Sequence, residues 1–401
     1  MNGEKKLAPK EIGIIVAAFA MTSVSMGKMI IISGFSEFSS EFADVSLVTK
    51  QLLISIASLS GIPVALLMGR MASHVSKKTL AIIASLLFAV GGLIPIFTTS
   101  FALMFAGRCV MGFGMAMCST LATSVIVESF SGNLRSRLIG YSSAVKSLFG
   151  IGFSYFGGIL ALYSWRSAYW LHTIGFVVFI LVVVFLPRSV PSAGTPGEEA
   201  KAQKPTITLP VWYYSLAAVV MFVFFSAHGN NIALLFSEHQ IGTPSQAGVA
   251  SAVFTLGGFL SGLLFHSVYR HLKNYTQILG YILAGVSILT MSMTFSFALL
   301  CLESFVFGLG FYLIIPHQTL LVTSAVGKEA YTLAAAIHLS AINLGQVISP
   351  IVLNNLSQCF FGGSVLGRYF AAGIGLLCMA LIAAGREFLF RKGRLSRLKV
   401  D

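Results

Sequence analysis

Charged residues are scarce in this sequence. Only 10% of its 401 residues are Asp, Glu, Lys or Arg, and 56% are hydrophobic. About a quarter of the residues of a soluble domain are charged, because its surface must be wetted. A chain with a mean hydropathy of +0.87 has too few polar side chains for a water-facing shell. A soluble domain and a basic nucleic-acid-binding domain are therefore excluded, and lipid is the expected solvent for most of the surface.

Cysteine pairs and catalytic motifs are missing as well. The five cysteines are Cys109, Cys118, Cys301, Cys359 and Cys378, and their spacing predicts neither a zinc site nor a disulfide framework. The sequence contains no H-E-x-x-H, G-x-S-x-G, G-x-G-D or P-loop pattern. We therefore expect no enzyme activity, no metal and no cofactor. A primary pump or a receptor would need a soluble domain, and the absence of a pore-loop pattern disfavours a channel.

Long apolar runs make up most of the chain instead. A helix needs about 20 apolar residues to cross a bilayer, and on that basis the sequence predicts an all-α membrane protein with twelve spans. The spans are 12–34, 47–70, 79–98, 100–127, 137–162, 166–187, 210–236, 245–268, 275–295, 297–326, 331–356 and 366–390.

One polar segment divides the twelve spans into six and six. Residues 188–209 are rich in Pro, Gly and charge, which is typical of a flexible linker. The sequence therefore predicts an amino-terminal six-helix bundle at 1–187, a cytoplasmic linker at 188–209, and a carboxy-terminal six-helix bundle with a basic tail at 210–401.

The two halves resemble each other in sequence. Residues 100–114 align with residues 296–310 without a gap, and seven of the fifteen positions match, including two glycine pairs. Duplicated halves are common in secondary transporters. We therefore expect the two bundles to be pseudo-symmetric and to rock around a central site.

The basic residues are distributed asymmetrically between the predicted loops. With the amino terminus in the cytoplasm, 20 of the 26 Lys and Arg residues lie on the cytoplasmic side. Only Lys50, Arg166 and Arg368 fall on the opposite face. Cytoplasmic loops carry an excess of Lys and Arg. The sequence thus predicts a protein of the cytoplasmic (inner or plasma) membrane with both termini in the cytoplasm.

Twelve spans, a central linker and a six-plus-six repeat resemble the major facilitator superfamily. The loop from Gly69 to Lys78, Arg108 followed by Gly112, and the pair Trp165-Arg166 are similar to patterns of that family. The resemblance implies a monomeric transporter that works by alternating access, with spans one, four and five lining its central cavity. Ser73 stands where the family usually has Asp, and span five lacks the Gly-Pro step of the antiporter signature.

Three basic residues lie inside predicted spans: Lys28 in span one, Arg108 in span four and Lys146 in span five. A buried charge is costly unless it is paired or wetted, and no Asp is predicted inside any span. These three residues therefore predict an electropositive site for an anion. The alternatives are that Lys28 reaches the outer surface and that backbone carbonyls hold Arg108.

The remaining candidates are polar, titratable or conformationally special residues within or beside the spans. Candidates for substrate binding are His228, Asn231, His317, Asn343 and Gln346, and those for proton coupling are Glu128, Glu303, His317 and His338. Gating or packing is expected of Gly69, Lys77, Lys78, Gly112, Gly114, Gly258, Gly262, Pro316 and Pro350. The two prolines are expected to break or bend their helices. A lone histidine in a helix is more often a packing residue than a functional one, so packing is the alternative for each histidine.

The functional hypothesis is a secondary active transporter for a small organic anion, coupled to protons or working by exchange. The alternative is multidrug or metabolite efflux by proton antiport. The expected partners are the solute, a proton or counter-ion and the lipid bilayer, with no nucleic acid. The solute, the direction of transport, the coupling ion and the conformational state stay open.

Overall fold

The computed structural model describes residues 8–130, 132–187, 207–326 and 331–391, and these residues are predominantly helical. The helices are α1 (Pro9–Ser23), α2 (Phe35–Glu41), α3 (Leu47–His74), α4 (Lys77–Phe97), α5 (Phe101–Ser129), α6 (Gly132–Ala161), α7 (Trp165–Ala168), α8 (Ile174–Phe185), α9 (Leu209–Glu238), α10 (Pro244–Leu272), α11 (Tyr275–Met291), α12 (Phe297–Ser324), α13 (Tyr331–Phe361) and α14 (Val365–Arg391). Two 3-10 segments, Val24–Ile31 and Tyr169–Thr173, interrupt the first and sixth predicted spans.

Each predicted span has a helical counterpart. Within the described ranges, 11 helical stretches are long and apolar enough to cross a membrane. The ninth predicted span, 275–295, corresponds to the shorter apolar helix Tyr275–Met291. Most of the predicted linker, 188–206, lies outside the described residues, and so do parts of the basic loops and tail.

Side-chain caps define two of the helix starts. Ser76 accepts a hydrogen bond from the backbone N–H of Thr79 at 3.2 Å and so caps α4. Thr243 and Gln246 form a reciprocal capping box at the start of α10, which satisfies two backbone groups that lack partners inside the helix.

The prediction that proline breaks its span is wrong for Pro316. Helix α12 is continuous through this residue, and α13 is likewise continuous through Pro350. Proline removes a single backbone donor, and a long membrane helix can tolerate that loss where neighbouring groups compensate. Both prolines therefore remain candidates for a local bend only.

Contacts divide the chain into two compact units. Unit 1 comprises Met1–Met29, Ile56–Phe153 and Tyr169–Gly197, and unit 2 comprises Ile30–Ser55, Ser154–Ala168 and Glu198–Asp401. The predicted boundaries at 187 and 210 remain a prediction. Two stretches from the amino-terminal half, 30–55 and 154–168, thus belong to the same unit as the carboxy-terminal helices.

The internal repeat is visible in the packing of equivalent glycines. A Cβ atom added to Gly114 would lie 2.5 Å from the carbonyl oxygen of Ala84, and one added to Gly310 would lie 2.6 Å from that of Gly280. These contacts join α5 to α4 in unit 1 and α12 to α11 in unit 2. Glycine permits such an approach because it has no side chain. The aligned glycines therefore have the same structural role in each unit.

The other glycines predicted to pack closely differ from one another. Gly112 lies directly against the backbone oxygen of Ala57 in α3, and the ring of Tyr312 covers Gly258. Within the described part of the chain, however, Gly262 has no atom within 4 Å of an added Cβ. Of the two glycines expected to pack closely against a neighbouring helix, only Gly258 therefore does so. Gly69 lies in α3, and its surroundings fall outside the described side chains.

Candidate functional site

Lys28 lies in the 3-10 segment that interrupts the first span. A 3-10 turn has three residues per turn instead of 3.6, so it changes the direction in which side chains leave the helix. Gly27 sits against the ring of Phe88, where a larger residue would not fit. The Lys28 ammonium donates a hydrogen bond to the hydroxyl oxygen of Ser58 at 3.2 Å. This bond holds the positive charge beside α3, inside unit 1.

Arg108 is fully buried in α5. One of its guanidinium nitrogens lies 3.5 Å from the sulfur of Met111, and the charge interacts with Tyr169 and Cys109. Direct contact with a solute would require a rearrangement around this side chain. In the described arrangement, Arg108 contributes positive charge to the interior of unit 1 from a fixed position.

Lys146 lies in α6 and is partly exposed. The charges of Lys146 and Arg108 both act on Lys28. The structure therefore places Arg108 and Lys146 within electrostatic range of Lys28 in unit 1. Two of them, Lys28 and Lys146, keep part of their surface accessible.

Acidic residues are rare in the same part of the sequence. Glu128 is the only Asp or Glu between residues 45 and 197, and it lies at the end of α5. Glu128 pairs there with Lys77 and accepts a hydrogen bond from Ser124 at 3.2 Å. Lys78 donates to the backbone oxygen of Val183 at 2.6 Å, near the end of α8. The cluster of three cations is thus surrounded by helices whose interior sequence contains no carboxylate.

His172 is a further residue near this cluster that the sequence reasoning missed. It is fully buried in the second 3-10 segment, and the charge of Arg108 acts on it. Its Nδ1 atom lies 2.9 Å from the backbone oxygen of Tyr169. The available signal is that His172 is a titratable residue inside the predicted sixth span.

His228 is packed among aromatic rings in unit 2. Its ring stacks on Phe254 and Phe307, with centroid distances of 5.2 and 5.4 Å. Its Nε2 atom lies 3.0 Å from the hydroxyl oxygen of Ser304. The side chain is only 2% exposed. His228 is therefore a buried residue packed between aromatic rings, and its role in substrate binding stays a prediction.

Asn231 lies in a buried hydrogen-bonded network of unit 2. Its Oδ1 atom accepts hydrogen bonds from Gln51 at 2.7 Å and from Arg368 at 3.1 Å. Asn354 donates to Gln51 at 2.6 Å. The sequence singled out Asn231, but it gave no role to Gln51 and placed Arg368 on the outer face. A glutamine within an apolar run was the available signal.

The other predicted residues of unit 2 lie in different surroundings. His317 is fully buried beside the ring of Tyr269, with centroids 5.7 Å apart. His338 is 3% exposed, and both its ring nitrogens lack a hydrogen-bond partner among the described residues. Asn343 and Gln346 are partly exposed on α13. Glu303 accepts a hydrogen bond from Thr294 at 2.8 Å.

Known proteins share sequence with this chain over part of their length. The multidrug resistance protein MdtL of Escherichia coli O127:H6 (strain E2348/69 / EPEC) is 24% identical over 163 residues, which cover 40% of this chain and 42% of that protein. The arabinose-proton symporter of Escherichia coli (strain K12) is 24% identical over 214 residues, covering 51% of this chain and 45% of that protein. The chain therefore matches less than half the length of these curated relatives.

The similarity in fold to a solved structure and the match to a family profile each cover a larger part of the chain. The crystal structure of a D-xylose-proton symporter superposes with a TM-score of 0.74 at 15% sequence identity, covering 93% of this chain and 97% of that one. The profile of the Major Facilitator Superfamily matches residues 17–350. The predicted all-α fold with twelve transmembrane helices is confirmed. The chain is an integral membrane transporter and belongs to the major facilitator superfamily.

Proposed function

We propose that this transporter moves a small organic anion across the cytoplasmic membrane by alternating access, coupled to protons or by exchange. The main support for this proposal is that Lys28, Arg108 and Lys146 all lie in unit 1, where the charges of Arg108 and Lys146 act on Lys28. The proposal assigns the anion to the ammonium groups of Lys28 and Lys146, because both are partly exposed. Arg108 supports binding through its charge.

The electrostatic argument is that like charges within a membrane protein repel one another strongly. The repulsion between two like charges is stronger inside a protein than in water, because the effective dielectric constant is lower there. A bound carboxylate, phosphate or sulfonate would replace this repulsion with two charge-assisted hydrogen bonds. A neutral sugar would leave the repulsion in place, and an organic cation would add to it.

The proposal also includes the orientation of the protein in the membrane and the residues that couple transport to protons. The excess of Lys and Arg on one set of loops supports cytoplasmic termini. Glu128, Glu303, His317 and His338 are the groups proposed to carry a proton. Among them Glu303 is favoured, because it is a partly exposed acid within a span, whereas Glu128 is paired with Lys77 at a helix end. The transporter is proposed to act as a monomer.

Drug or metabolite efflux by proton antiport is the second candidate. Its support is the similarity to the multidrug resistance protein MdtL. Expulsion of a lipophilic cation usually requires an acid in the membrane to exchange the drug for a proton. Between residues 45 and 197 the only acid is Glu128, which is paired with Lys77 at a helix end. No acid of that range thus lies beside the three cations to bind a lipophilic cation, which favours an anion at this site.

The test uses purified protein in proteoliposomes with imposed pH and voltage gradients. The probes are succinate and phenyl phosphate as anions, arabinose as a neutral solute and tetraphenylphosphonium as a lipophilic cation. The expected result is saturable movement of at least one anion, or competition by anions in a thermal-shift screen of carboxylates, phosphates and sulfonates. Movement of the cation alone would overturn the proposal and support efflux.

Charge variants identify the site. Lys146→Met should reduce anion flux about tenfold or more, and Lys146→Arg should retain part of it because the charge is kept. Lys10→Met is the matched control, since Lys10 is an exposed lysine in the first turn of α1. Equal flux in Lys146→Met and in the parent protein would remove Lys146 from the site.

A further inference from the structure

Helices α11 and α12 of unit 2 carry a set of buried polar side chains. Gln277 and Gln318 each donate a hydrogen bond from the amide nitrogen to the hydroxyl oxygen of Tyr281, at 3.4 and 3.1 Å. Thr276 lies beside Gln277 in the first turn of α11, and His317 precedes Gln318 in α12. All five side chains are at most 3% exposed. We call Thr276, Gln277, Tyr281, His317 and Gln318 the polar cluster.

Several atoms of the polar cluster have no hydrogen bond among the described residues. These atoms are Oγ1 of Thr276 and the Oε1 atoms of Gln277 and Gln318. The ring of His317 lies near the backbone of Lys273, but neither of its nitrogens makes a well-aligned hydrogen bond there. A buried polar group without a partner destabilises a protein. When several such groups lie together on two neighbouring helices, they indicate that a further molecule binds between them.

The internal repeat gives each position of the polar cluster a counterpart in unit 1. A Cβ atom added to Gly114 would lie 2.5 Å from the backbone nitrogen of Phe88, and one added to Gly310 would lie 2.7 Å from that of Ala284. Each residue of the second contact follows its counterpart in the first by 196 residues. Helices α11 and α12 therefore pack in unit 2 as α4 and α5 do in unit 1, and the same offset identifies the counterparts of the polar cluster.

The counterparts in unit 1 are almost entirely apolar. In unit 1 the positions of the polar cluster are occupied, in the same order, by Leu80, Ala81, Ser85, Leu121 and Ala122. All five are at most 2% exposed, and the one hydroxyl among them, that of Ser85, donates to backbone oxygens of its own helix. Unit 1 thus packs the same two helices without a polar interior. The polar cluster of unit 2 therefore has a role other than packing.

A positive charge near the polar cluster limits what can bind there. The guanidinium of Arg386 in α14 acts electrostatically on Tyr281 and His317, and Arg386 is 8% exposed. This charge disfavours a metal cation at the cluster. An anion has no proton to donate, so it would leave the amide oxygens of Gln277 and Gln318 without a partner. The ligand must donate hydrogen bonds and carry no net charge.

We propose that the polar cluster is an internal water-binding site of unit 2, between α11 and α12. A water molecule donates its two protons to the free oxygens of Gln277 and Gln318, and its own oxygen accepts from Thr276 or His317. A buried water molecule needs about two to four such partners. Water also provides polar surroundings for the guanidinium of Arg386. This inference is independent of the proposed solute.

Radiolytic footprinting tests the water site in the purified protein. A brief X-ray pulse forms hydroxyl radicals from water, and a buried side chain is oxidised when the water that forms them is bound beside it. His317 is the reporter, with 0% exposure. His228 is the matched internal control, because it is 2% exposed and packs between Phe254 and Phe307. Mass spectrometry should find that His317 is oxidised about tenfold faster than His228, because only His317 has water beside it.

Glutamine variants identify the groups that hold the water. The double variant Gln277→Met/Gln318→Met keeps the length of both side chains and removes both free oxygens. Oxidation of His317 should then fall about tenfold, to the rate of His228, because the water loses two acceptors. Gln318→Met alone should lower the rate in part, and it provides the same test if the double variant does not fold. Gln358→Met is the matched control, since Gln358 is an exposed glutamine on α13, and it should keep the parent rate.

Three results would overturn the water site. The first is a parent protein in which His317 is oxidised no faster than His228. The second is a glutamine variant that is folded, as judged by its melting temperature, and that keeps the parent rate of oxidation at His317. The third is a melting temperature that depends on chloride in the parent protein and loses this dependence in the glutamine variant, because the ligand would then be an anion.

Discussion

The guanidinium of Arg166 donates two hydrogen bonds to the carboxylate of Glu41, at 2.8 and 2.6 Å. It also lies 4.3 Å above the ring of Trp165, whose indole nitrogen donates to the same carboxylate at 2.7 Å. The Trp-Arg pair at the start of the sixth span therefore anchors the short helix α2. The planar guanidinium suits both contacts, since it pairs with a carboxylate at two points and stacks on a ring.

Neutralising Glu41 should weaken this anchor in a pH-dependent way. Hydrogen bonding by Arg166 holds the pKa of Glu41 below its usual value of 4.5. A lowered folded-state pKa means that the interaction stabilises the protein above pH 4.5 and is lost as the pH falls through the folded-state pKa. Glu41→Gln should therefore lower the melting temperature in detergent slightly at pH 7, by the equivalent of about 1 kcal/mol or less, because the pair is partly exposed.

The control is the pH dependence itself. The difference in melting temperature between Glu41→Gln and the parent should shrink as the pH falls below 4.5. Glu238→Gln provides a comparison at another exposed glutamate of unit 2. If the difference in melting temperature stayed the same at low pH, the loss of stability would come from changed packing around Trp165 and would not come from the lost charge.

Glycine substitutions should separate close helix contacts from open positions. Gly310→Ala should destabilise the protein by about 1–3 kcal/mol, because the new methyl group would lie 2.6 Å from the oxygen of Gly280 and 2.7 Å from the nitrogen of Ala284. Gly262→Ala is the matched control on a neighbouring helix. It should be neutral or slightly stabilising, since alanine favours the helix. Thermal unfolding in one detergent measures both, and equal losses would contradict the packing argument.

The sequence predicted those features that depend on short-range patterns. Apolar runs located all twelve helical regions, because the bilayer fixes the length and composition of a span. The alignment of 100–114 with 296–310 correctly indicated that Gly114 and Gly310 have equivalent roles. The grouping of positive charge was also predictable in part. Lys28, Arg108 and Lys146 are far apart in the sequence, but the family resemblance implies that their three spans line one cavity.

Features that depend on three-dimensional contacts could not be predicted. The sequence marks Gln51 only as a polar residue in an apolar run, and its hydrogen bonds depend on partners 180 and 303 residues away. The sequence predicts the same role for His228 and Asn231, but it does not show that one is packed between aromatic rings and that the other belongs to a polar network. The open surroundings of Gly262 depend on what the opposite helix presents, which a G-x-x-x-G spacing does not encode.

The position of the Lys28 ammonium should depend on Ser58. Ser58→Ala removes the acceptor at 3.2 Å, so the lysine loses one of its contacts while its charge stays. We expect the anion concentration for half-maximal uptake to rise severalfold, with little change in the maximal rate. Ser58→Thr should restore the parent value because it keeps the hydroxyl.

Ser60→Ala serves as the matched control for Ser58→Ala. Ser60 lies on the same helix, but its hydroxyl donates to the backbone oxygens of Ala57 and Cys109. It should affect stability more than the uptake constant. If both serine variants shifted the uptake constant equally, the effect would arise from α3 as a whole, and Ser58 would have no positioning role.

Glu303 should be required for proton-driven accumulation but not for exchange. Its Oε1 atom accepts a hydrogen bond from Thr294 at 2.8 Å, and its Oε2 atom is buried with no partner among the described residues. An oxygen in that position can accept a proton without breaking an existing bond. Glu303→Gln mimics the protonated form permanently. Accumulation driven by an imposed pH gradient should therefore fall about tenfold, to the level seen without a gradient, while exchange of labelled for unlabelled solute continues.

Glu128→Gln, at the ion pair with Lys77, is the control and should retain the response to the gradient. Full gradient-driven accumulation by Glu303→Gln would exclude Glu303 as the proton carrier and leave His317 and His338 to be tested in the same assay.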